Sequence, residues 1–398
     1  MRIKNGKNLQ LTYCTNIHPA NGLKQIYKNI EKYSIPLKRK LSEAEPFAIG
    51  LRLSDYESRQ LTQKKSLQKF KSFLDENGLY VFTINGFVYG QFHKKVIKSK
   101  VFTPDWQDQK RVNYTLRLIK ILSYLLDKNK EGSISTSPLS YKSWYKDKIK
   151  SWQKITKNLI TVTSALIKIQ KNTGKIIHID IEPEPSGLLE NSDEIIKFFK
   201  DYLLKSGVEI LKKEMSIPKK LAIKLILEHV RICLDTCHFA VEYEKTTDIL
   251  QKFKKLGIGI GKIQISSALK ITSVTARSHQ EKFRETLKHF EDSIYLHQVI
   301  AKNPHKSFED LTYALESIRT LECQEYRIHF HVPIFRKKFG ALDSTQEETI
   351  KTLSLLKKHK ITSHLEIETY TWEVLPKNFK IDLVDSIERE YKWVLKYI

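Results

Sequence analysis

The sequence lacks a long apolar run, and no segment approaches the roughly 20 apolar residues that a membrane span requires. Its N-terminal residues lead directly into a strand-like segment, without the apolar core of a secretory signal peptide. Cysteine is scarce, with 4 residues, and Cys233 and Cys237 do not form the CxxC spacing of redox or zinc motifs. We therefore expect a cytoplasmic protein with reduced thiols.

Two further absences narrow the class of protein. The first strand-like segment is followed by NIHP at 16–19 rather than by a glycine-rich phosphate turn, which argues against a doubly wound dinucleotide-binding sheet. The net charge of +24 comes mainly from lysines scattered over helical segments, with no arginine-rich block or aromatic-interleaved basic stripe. We interpret this charge as the result of lysines spread over solvated helix faces, and we do not expect a nucleic-acid partner. The charge can still attract an anionic substrate.

Strand-like and helical segments alternate along the whole chain, and no two strand candidates are joined by a tight two-residue turn. This is the pattern of parallel βαβ units. The chain has nine strand candidates, one more than a TIM barrel uses. We predict an α/β fold in which residues 1–398 form one (β/α)8 TIM-barrel domain. The surplus strand is expected as an insertion late in the chain, between Ser267 and His364.

Chemically competent side chains stand where the predicted strands end. An apolar run at 230–234 ends in Asp235, and His238 follows three residues later. The carboxyl ends of barrel strands face the mouth where TIM barrels do their chemistry, so this pair could share a metal or a proton. The ordinary alternative is an aspartate that caps the next turn, followed by a half-exposed histidine. Other strand candidates end similarly, with Glu182, Gln264, His329 or His331, and Glu368.

Carboxylates and imidazoles converging from separate strands are typical of a divalent-metal site suited to Mn²⁺, Mg²⁺, Zn²⁺ or Co²⁺. Such a metal polarises a carbonyl or binds two sugar oxygens, and a nearby carboxylate or histidine can then move a proton. Each residue also has a plainer explanation. Gln264 could be an ordinary polar strand residue, and His329 and His331 could be satisfied by hydrogen bonds in a packed strand.

The segment 85–93 (NGFVYGQFH) combines two glycines and three aromatic residues with an asparagine and a histidine. Loops of this composition often line pockets. A hairpin at Asn85-Gly86 is the alternative, but no matching alternating strand follows it. The predicted substrate-binding residues are Tyr13, Asn85, Phe87, Tyr89, His93 and His329.

The order of strand-end residues resembles that of the xylose-isomerase-like TIM barrels, which include sugar isomerases, sugar epimerases and the endonuclease IV group. The epimerase branch holds a metal with Glu, Asp, His and Glu from successive strand ends. The resemblance implies that the metal is held by Glu182, Asp235, Gln264 and Glu368, with Gln264 standing where that branch usually has histidine. It also implies catalytic or proton-relaying roles for Glu182, His238, His331 and Glu368.

A second resemblance covers nearly the whole chain and is carried by the segments 11–19, 50–54, 80–87, 132–136 and 329–333. These segments look like the metabolite traffic protein EboE family, TIM barrels encoded in clusters linked to trafficking of secondary-metabolite precursors. Membership implies a small-molecule substrate such as a sugar, polyol or metabolite precursor. It also implies other proteins of the same cluster as partners.

Three functions follow from these patterns. The leading hypothesis is a divalent-metal-dependent sugar isomerase or epimerase, and the alternative is a barrel that binds or hands over a metabolite without converting it. An endonuclease IV-like DNA repair enzyme ranks last. That group uses a trinuclear metal cluster with histidines at early strand ends, whereas the second strand here offers Arg52 and Ser54.

Overall fold

The computed structural model describes residues 1–3, 8–90, 98–145, 148–272, 277–288, 290, 296–317, 323, 325–371 and 382–398. The strands are β1 (Arg2–Ile3), β2 (Leu9–Tyr13), β3 (Phe47–Arg52), β4 (Leu79–Asn85), β5 (Glu131–Thr136), β6 (Ile176–Ile181), β7 (Val230–Asp235), β8 (Ile260–Ile265), β9 (Leu269–Thr272), β10 (Val299–Lys302), β11 (Lys306–Phe308), β12 (Glu325–Ile328), β13 (Lys338–Phe339), β14 (Leu342–Ser344) and β15 (His364–Ile367).

The α-helices are α1 (Leu23–Asn29), α2 (Ile35–Leu41), α3 (Asp55–Leu61), α4 (Lys64–Glu76), α5 (Gln109–Leu125), α6 (Lys148–Thr173), α7 (Ser192–Phe198), α8 (Val208–Met215), α9 (Lys219–His229), α10 (Thr236–Val241), α11 (Thr246–Lys254), α12 (Arg277–Lys288), α13 (Leu311–Ser317), α14 (Gln346–Lys358) and α15 (Leu383–Tyr397). Single π-helical segments join α1 to α2 and α7 to α8. Among the described residues, no helix combines the length and the apolar character needed to cross a membrane.

Eight parallel strands form the barrel wall in the order β2-β15-β8-β7-β6-β5-β4-β3. A parallel bridge between Cys14 and Gly50 links the two end strands of this order. The short strand β1 pairs antiparallel with β2 at its outer edge. The predicted TIM barrel is therefore confirmed. Its apolar layer lies between the strands and the surrounding helices and includes Ile177, Ile179 and Ile181 of β6.

A second sheet is inserted between β8 and β15, and it confirms the predicted late insertion. Its six antiparallel strands follow the order β11-β10-β12-β9-β14-β13. The helix α10, which follows β7, packs against this inserted sheet through Cys237, Val241, Ala268 and Ile300. His329 and His331 lie immediately after β12, so the inserted sheet delivers both histidines to the barrel mouth.

The barrel interior is polar and contains a fully buried ion pair. Lys262 Nζ on β8 donates to Glu366 Oε2 on β15 at 2.6 Å and to Ser135 Oγ on β5 at 3.0 Å. A Cβ atom at Gly50 on β3 would overlap Glu366 Oε1, so the close approach of this carboxylate requires glycine there. The ion pair thus links three strands below the mouth of the barrel.

We predict that Lys262→Met lowers the free energy of unfolding by about 3–5 kcal/mol, because it leaves the Glu366 carboxylate buried without its partner. The double variant Lys262→Met/Glu366→Leu replaces both charges by apolar groups and should recover most of this loss. Urea unfolding followed by circular dichroism measures both values. A double variant no more stable than Lys262→Met would contradict the assignment of the loss to an unpaired charge.

A second buried carboxyl group makes stability depend on pH. Glu390 Oε1 on α15 accepts from Thr369 Oγ1 at 2.6 Å and from the Ile334 amide at 3.3 Å. Burial raises the pKa of Glu390 from 4.5 to about 8. The folded state therefore holds a proton that the unfolded state releases, and stability contributed by this group falls as pH rises from about 5 to 8.

We expect Glu390→Gln, which cannot ionise, to gain stability relative to the natural chain as pH rises, on the order of 1–3 kcal/mol between pH 5 and 9. Urea midpoints of both proteins at pH 5, 7 and 9 measure the difference. A difference that stays constant across this range would show that Glu390 does not titrate between the two states.

Candidate metal centre at the barrel mouth

Three buried carboxyl groups meet at the mouth of the barrel. Glu182 follows β6, Asp235 ends β7 and Glu368 follows β15, so the parallel strands carry all three to the same end. Each offers one carboxylate oxygen, and these oxygens lie within 4.8 Å of one another. We call Glu182, Asp235 and Glu368 the carboxylate triad.

Asp235 uses its two oxygens differently. Oδ1 accepts from the amides of Cys237 at 2.8 Å and His238 at 3.0 Å, and from Ser266 Oγ at 2.6 Å. This oxygen caps α10, so the alternative explanation of Asp235 as a helix cap is correct for Oδ1. Oδ2 is buried without a hydrogen-bond partner and lies 3.9 Å from His331 Nε2. One oxygen therefore fixes the side chain while the other faces the site.

Glu368 is oriented in a similar way. Its Oε1 accepts from Asn16 Nδ2 at 2.7 Å and from Asn85 Nδ2 at 3.0 Å. Glu182 has one oxygen 4.0 Å from His238 Nδ1, while its Oε2 is buried without a hydrogen-bond partner. Asp235 and Glu182 thus each present one buried oxygen without a hydrogen-bond partner, which is the condition expected of cation ligands.

Three imidazoles converge beside the carboxylate triad, and we call His238, His329 and His331 the histidine triad. His238 Nε2 lies 3.1 Å from His329 Nε2 and 3.3 Å from His331 Nε2. All three side chains are buried. His238 comes from α10 of the barrel, whereas His329 and His331 come from the inserted sheet, so two separate parts of the fold build this cluster.

The three carboxyl groups of the carboxylate triad differ in the direction in which their pKa values are shifted. Burial and the neighbouring carboxylates raise the pKa of Glu182 and of Glu368 well above the usual range. Burial also acts to raise the pKa of Asp235, but His238, His331 and the Ser266 hydrogen bond hold it below its ordinary value. Asp235 is therefore the member of the carboxylate triad that ionises most readily.

Burial keeps the three imidazoles neutral. It lowers the pKa of His331 to about 4, and it lowers those of His238 and His329 below the ordinary histidine value. Neutral imidazole has one nitrogen lone pair available, and this is the form that binds metal ions.

A cavity lined by all members of the two triads except Asp235 contains about 380 Å³ of empty space, part of it continuous with solvent. Polar groups form one side, and Phe87, Val88, Val101 and Tyr370 form an apolar side. The full lining consists of Asn16, Asn85, Phe87, Val88, Val101, Glu182, Glu184, His238, His329, His331, Glu368 and Tyr370.

Several predicted site residues therefore lie together. Asn85, Phe87 and His329, predicted to bind substrate, line the cavity beside Glu182, His238, His331 and Glu368. Tyr13 instead directs its hydroxyl to His18 Nε2 and Ser34 Oγ, away from this lining. Tyr89 packs edge-on against Tyr114 and also lies outside the lining. His93 falls outside the described residues.

Gln264, the fourth predicted metal ligand, does not line the cavity. It pairs in register with Asp235 on β7 and Glu366 on β15, and its amide oxygen accepts from the Cys233 thiol at 2.8 Å. Ser266, two residues further along the chain, is the residue from this strand end that reaches Asp235. The role of Gln264 as a ligand stays a prediction.

The cavity also contains residues that the sequence reasoning did not select. Asn16 stands in the polar stretch after the first long strand, and Glu184 continues the alternating polar series of β6. A local sequence pattern could therefore have indicated both residues. Gln298 has no such pattern. Its Nε2 donates to Pro185 O at 2.7 Å and to Glu184 Oε1 at 3.1 Å, while its Oε1 lies 2.6 Å from His329 Nδ1.

The fold is similar to solved xylose-isomerase-like TIM barrels. An L-ribulose 3-epimerase superposes with a TM-score of 0.50 at 9% sequence identity, over 98% of this chain and 94% of that one. A xylose isomerase-like TIM barrel protein from Mycobacterium smegmatis, in complex with magnesium, superposes with a TM-score of 0.52 at 8% identity. That comparison covers 98% of this chain and 96% of the other. At these identities the similarity defines the class of fold, a xylose-isomerase-like TIM barrel.

No protein-family model and no curated protein matches the chain. The resemblance to the EboE family is therefore carried by the sequence segments alone.

We predict that His238, His329 and His331 are neutral and carry their proton on Nδ1 at pH 7. Each Nδ1 lies within hydrogen-bond distance of a carbonyl oxygen, at Pro183, Gln298 and Glu368 respectively. Long-range ¹H–¹⁵N correlation spectra of histidine-labelled, metal-free protein report the tautomer, and single His→Gln variants assign the resonances. A proton on Nε2 in any of the three rings would contradict the arrangement.

Proposed function

We propose that this chain is a divalent-metal-dependent isomerase or epimerase acting on a small sugar, polyol or related metabolite precursor. The observation that carries the proposal is the carboxylate triad at the carboxyl ends of three barrel strands. Asp235 Oδ2 and Glu182 Oε2 are buried and lack hydrogen-bond partners, so a cation suits this donor set. Oxygen ligands of this kind suit Mg²⁺ and Mn²⁺, and also accept Zn²⁺ or Co²⁺.

The residues of the site can perform a proton transfer next to a carbonyl group. When bound, a divalent cation polarises the substrate carbonyl and so acidifies the neighbouring C–H bond. Glu182 and Glu368 enter the cavity from β6 and β15, with β7 and β8 between them. We assign one carboxylate to remove the proton and the other carboxyl group to return one. Return to the same carbon from the opposite face gives an epimer, and return to the former carbonyl carbon gives an isomer.

Other lining residues position the reacting groups. Asn16 and Asn85 occupy Glu368 Oε1 and so leave its second oxygen for the site. We assign His238 and His331, which line the cavity, to bind substrate hydroxyls or to relay protons. The apolar side formed by Phe87, Val88 and Tyr370 limits access of water, which strengthens electrostatic interactions within the cavity.

The sequence segments that resemble the EboE family support a role in processing or trafficking of secondary-metabolite precursors. With that role we propose other proteins of the same cluster as partners and the cytoplasm as the location. We also propose that residues 1–398 act as one domain, because the inserted sheet contributes residues to the same cavity as the barrel strands.

The test combines metal content with proton exchange. Metal-free protein is reloaded with Mg²⁺, Mn²⁺, Zn²⁺ or Co²⁺, and a panel of ketoses and cyclic polyol ketones is incubated in D₂O. We expect metal-dependent deuterium incorporation next to the carbonyl, seen by ¹H NMR. Glu182→Gln and Glu368→Gln should lower this exchange by about 10²–10⁴-fold, because each removes a carboxyl group that moves the proton and helps to hold the metal.

Glu390→Gln is the matched control, since it changes a buried carboxyl group outside the cavity lining and should keep exchange and metal content. Protein that takes up no divalent metal on reloading would refute the proposal. Protein that binds metal and sugar but exchanges no proton would instead favour a barrel that hands over a metabolite unchanged.

A further inference from the structure

A group of exposed apolar side chains lies beside the mouth and has no part in the chemistry proposed there. The segment 142–154 (KSWYKDKIKSWQK) interleaves five lysines with three aromatic residues. The expectation that the chain has no basic stripe interleaved with aromatic residues is therefore wrong for this segment. We propose that four of its apolar residues dock the rim of the barrel on a lipid surface with anionic headgroups. We call Trp144, Tyr145, Ile149 and Trp152 the rim patch.

The rim patch brings together exposed apolar side chains that protein surfaces usually carry singly. Ile149 is 67% exposed and Trp144 is 38% exposed. Ile149 and Trp152 are about one turn apart on α6 and share a face of that helix, and the ring of Tyr145 packs edge-on against Trp152 at 5.4 Å. Tryptophan and tyrosine concentrate at the boundary between water and lipid, because their rings are apolar but carry a polar atom.

The rim patch lies at the same end of the barrel as the mouth. It spans the connection after β5 and the first two turns of α6, next to the connection from β6 to α7. An antiparallel bridge between Tyr141 and Gly187 joins these two connections, and the second one also supplies Glu182 and Glu184 to the cavity lining. Docking through the rim patch therefore brings the mouth to the lipid surface.

A series of ring contacts connects the rim patch with the apolar side of the cavity. The ring centroids of Phe87, which lines the cavity, and Phe102 are 5.8 Å apart, and Phe102 stacks on Tyr141 at 5.0 Å. Tyr141 in turn meets Trp144 edge-on at 5.2 Å. The rim patch thus rests on packed aromatic side chains, which hold its position relative to the mouth.

A groove beside the rim patch adds apolar surface that lipid can contact. It contains about 1150 Å³ of empty space, part of it continuous with solvent, and Leu188 and Phe198 belong to its lining. Trp152 stacks on Phe198 at 5.2 Å and on Tyr202 at 5.0 Å along this groove. Ile149, the most exposed member of the rim patch, is aliphatic and cannot stack on bases, which favours lipid over single-stranded nucleic acid as the occupant.

Lysines around the rim patch supply charge complementary to anionic headgroups. Lys154, Lys197 and Lys200 are exposed, and none of them has an ion-pair partner among the described residues. The exposed Asp201 has none either, so the unpaired charge of these four residues is net positive. The net charge of +24 attracts the chain to an anionic surface over longer distances. Each lysine held near such a surface strengthens binding by about fivefold.

Vesicle binding tests the proposal, and it does not depend on the reaction at the mouth. Vesicles of phosphatidylcholine, with or without roughly one third phosphatidylglycerol, are sedimented with the protein at about 0.1 M NaCl. We expect tight binding to the anionic vesicles only. Lys154→Gln/Lys197→Gln should weaken this binding by about 25-fold and Trp144→Ser/Ile149→Ser by about tenfold.

Two matched variants separate the rim patch from the general charge and apolar surface of the chain. Lys168→Gln/Lys171→Gln removes the same charge at the opposite end of α6, where both lysines are exposed. Tyr124→Ser/Leu221→Ser removes exposed apolar groups on α5 and α9, which lead to the amino ends of β5 and β7. Both controls should bind anionic vesicles nearly as tightly as the natural chain.

Losses in the controls equal to those in the rim variants would overturn the proposal, because net charge alone would then explain the binding. A single-stranded oligonucleotide that competes with the vesicles and loses affinity in the same rim variants would overturn it in favour of nucleic acid.

Insertion into the lipid gives a second readout. Bromine-labelled phosphatidylcholine in the anionic vesicles should quench the tryptophan fluorescence of the bound protein, and Trp144→Phe should lose much of this quenching. Trp393→Phe is the control and should keep it, because α15 follows β15, four strands away from β5 in the barrel order. Quenching that is unchanged in Trp144→Phe would refute docking through the rim patch.

Discussion

The barrel mouth depends on a buried ion pair, in which the ammonium group of Lys262 lies beneath several acidic side chains. Lys262 bonds Glu366 and Ser135, and so joins β8, β15 and β5 across the interior. Its charge opposes the effect of burial on Glu182 and Glu368 above it, although burial prevails. Acidic groups at this density remain buried either because they take up protons or because cations, fixed or bound, lie among them.

The convergence of Glu182, Asp235 and Glu368 could be predicted from the sequence because two simple rules apply. Side chains alternate along a strand, and the carboxyl ends of parallel strands meet at one end of a barrel. These rules do not state which polar residue of a strand end reaches the centre, and Ser266 rather than Gln264 bonds Asp235. They also do not distinguish the two faces of a strand buried on both sides, so Tyr13 points outward to His18 and Ser34.

The histidine triad lies beyond sequence reasoning for a different reason. The sequence shows His329 and His331 close together on one strand candidate and predicts an insertion late in the chain. Their contact with His238, however, depends on how the inserted sheet packs against α10 through Cys237 and Ile300. Packing between separate sheets follows from shape and burial over many residues, and no local pattern encodes it. Gln298, which orients His329, is invisible in the sequence for the same reason.

The origin of the histidine triad in two parts of the fold has a mechanical consequence. His238 belongs to the barrel helix α10, whereas His329 and His331 follow a strand of the inserted sheet. A ligand that contacts His238 and the pair from the inserted sheet at the same time connects the insertion to the barrel. Because such a ligand binds only the docked arrangement, it stabilises this arrangement in proportion to the logarithm of its concentration. Occupancy of the mouth would thereby strengthen the attachment of its own wall.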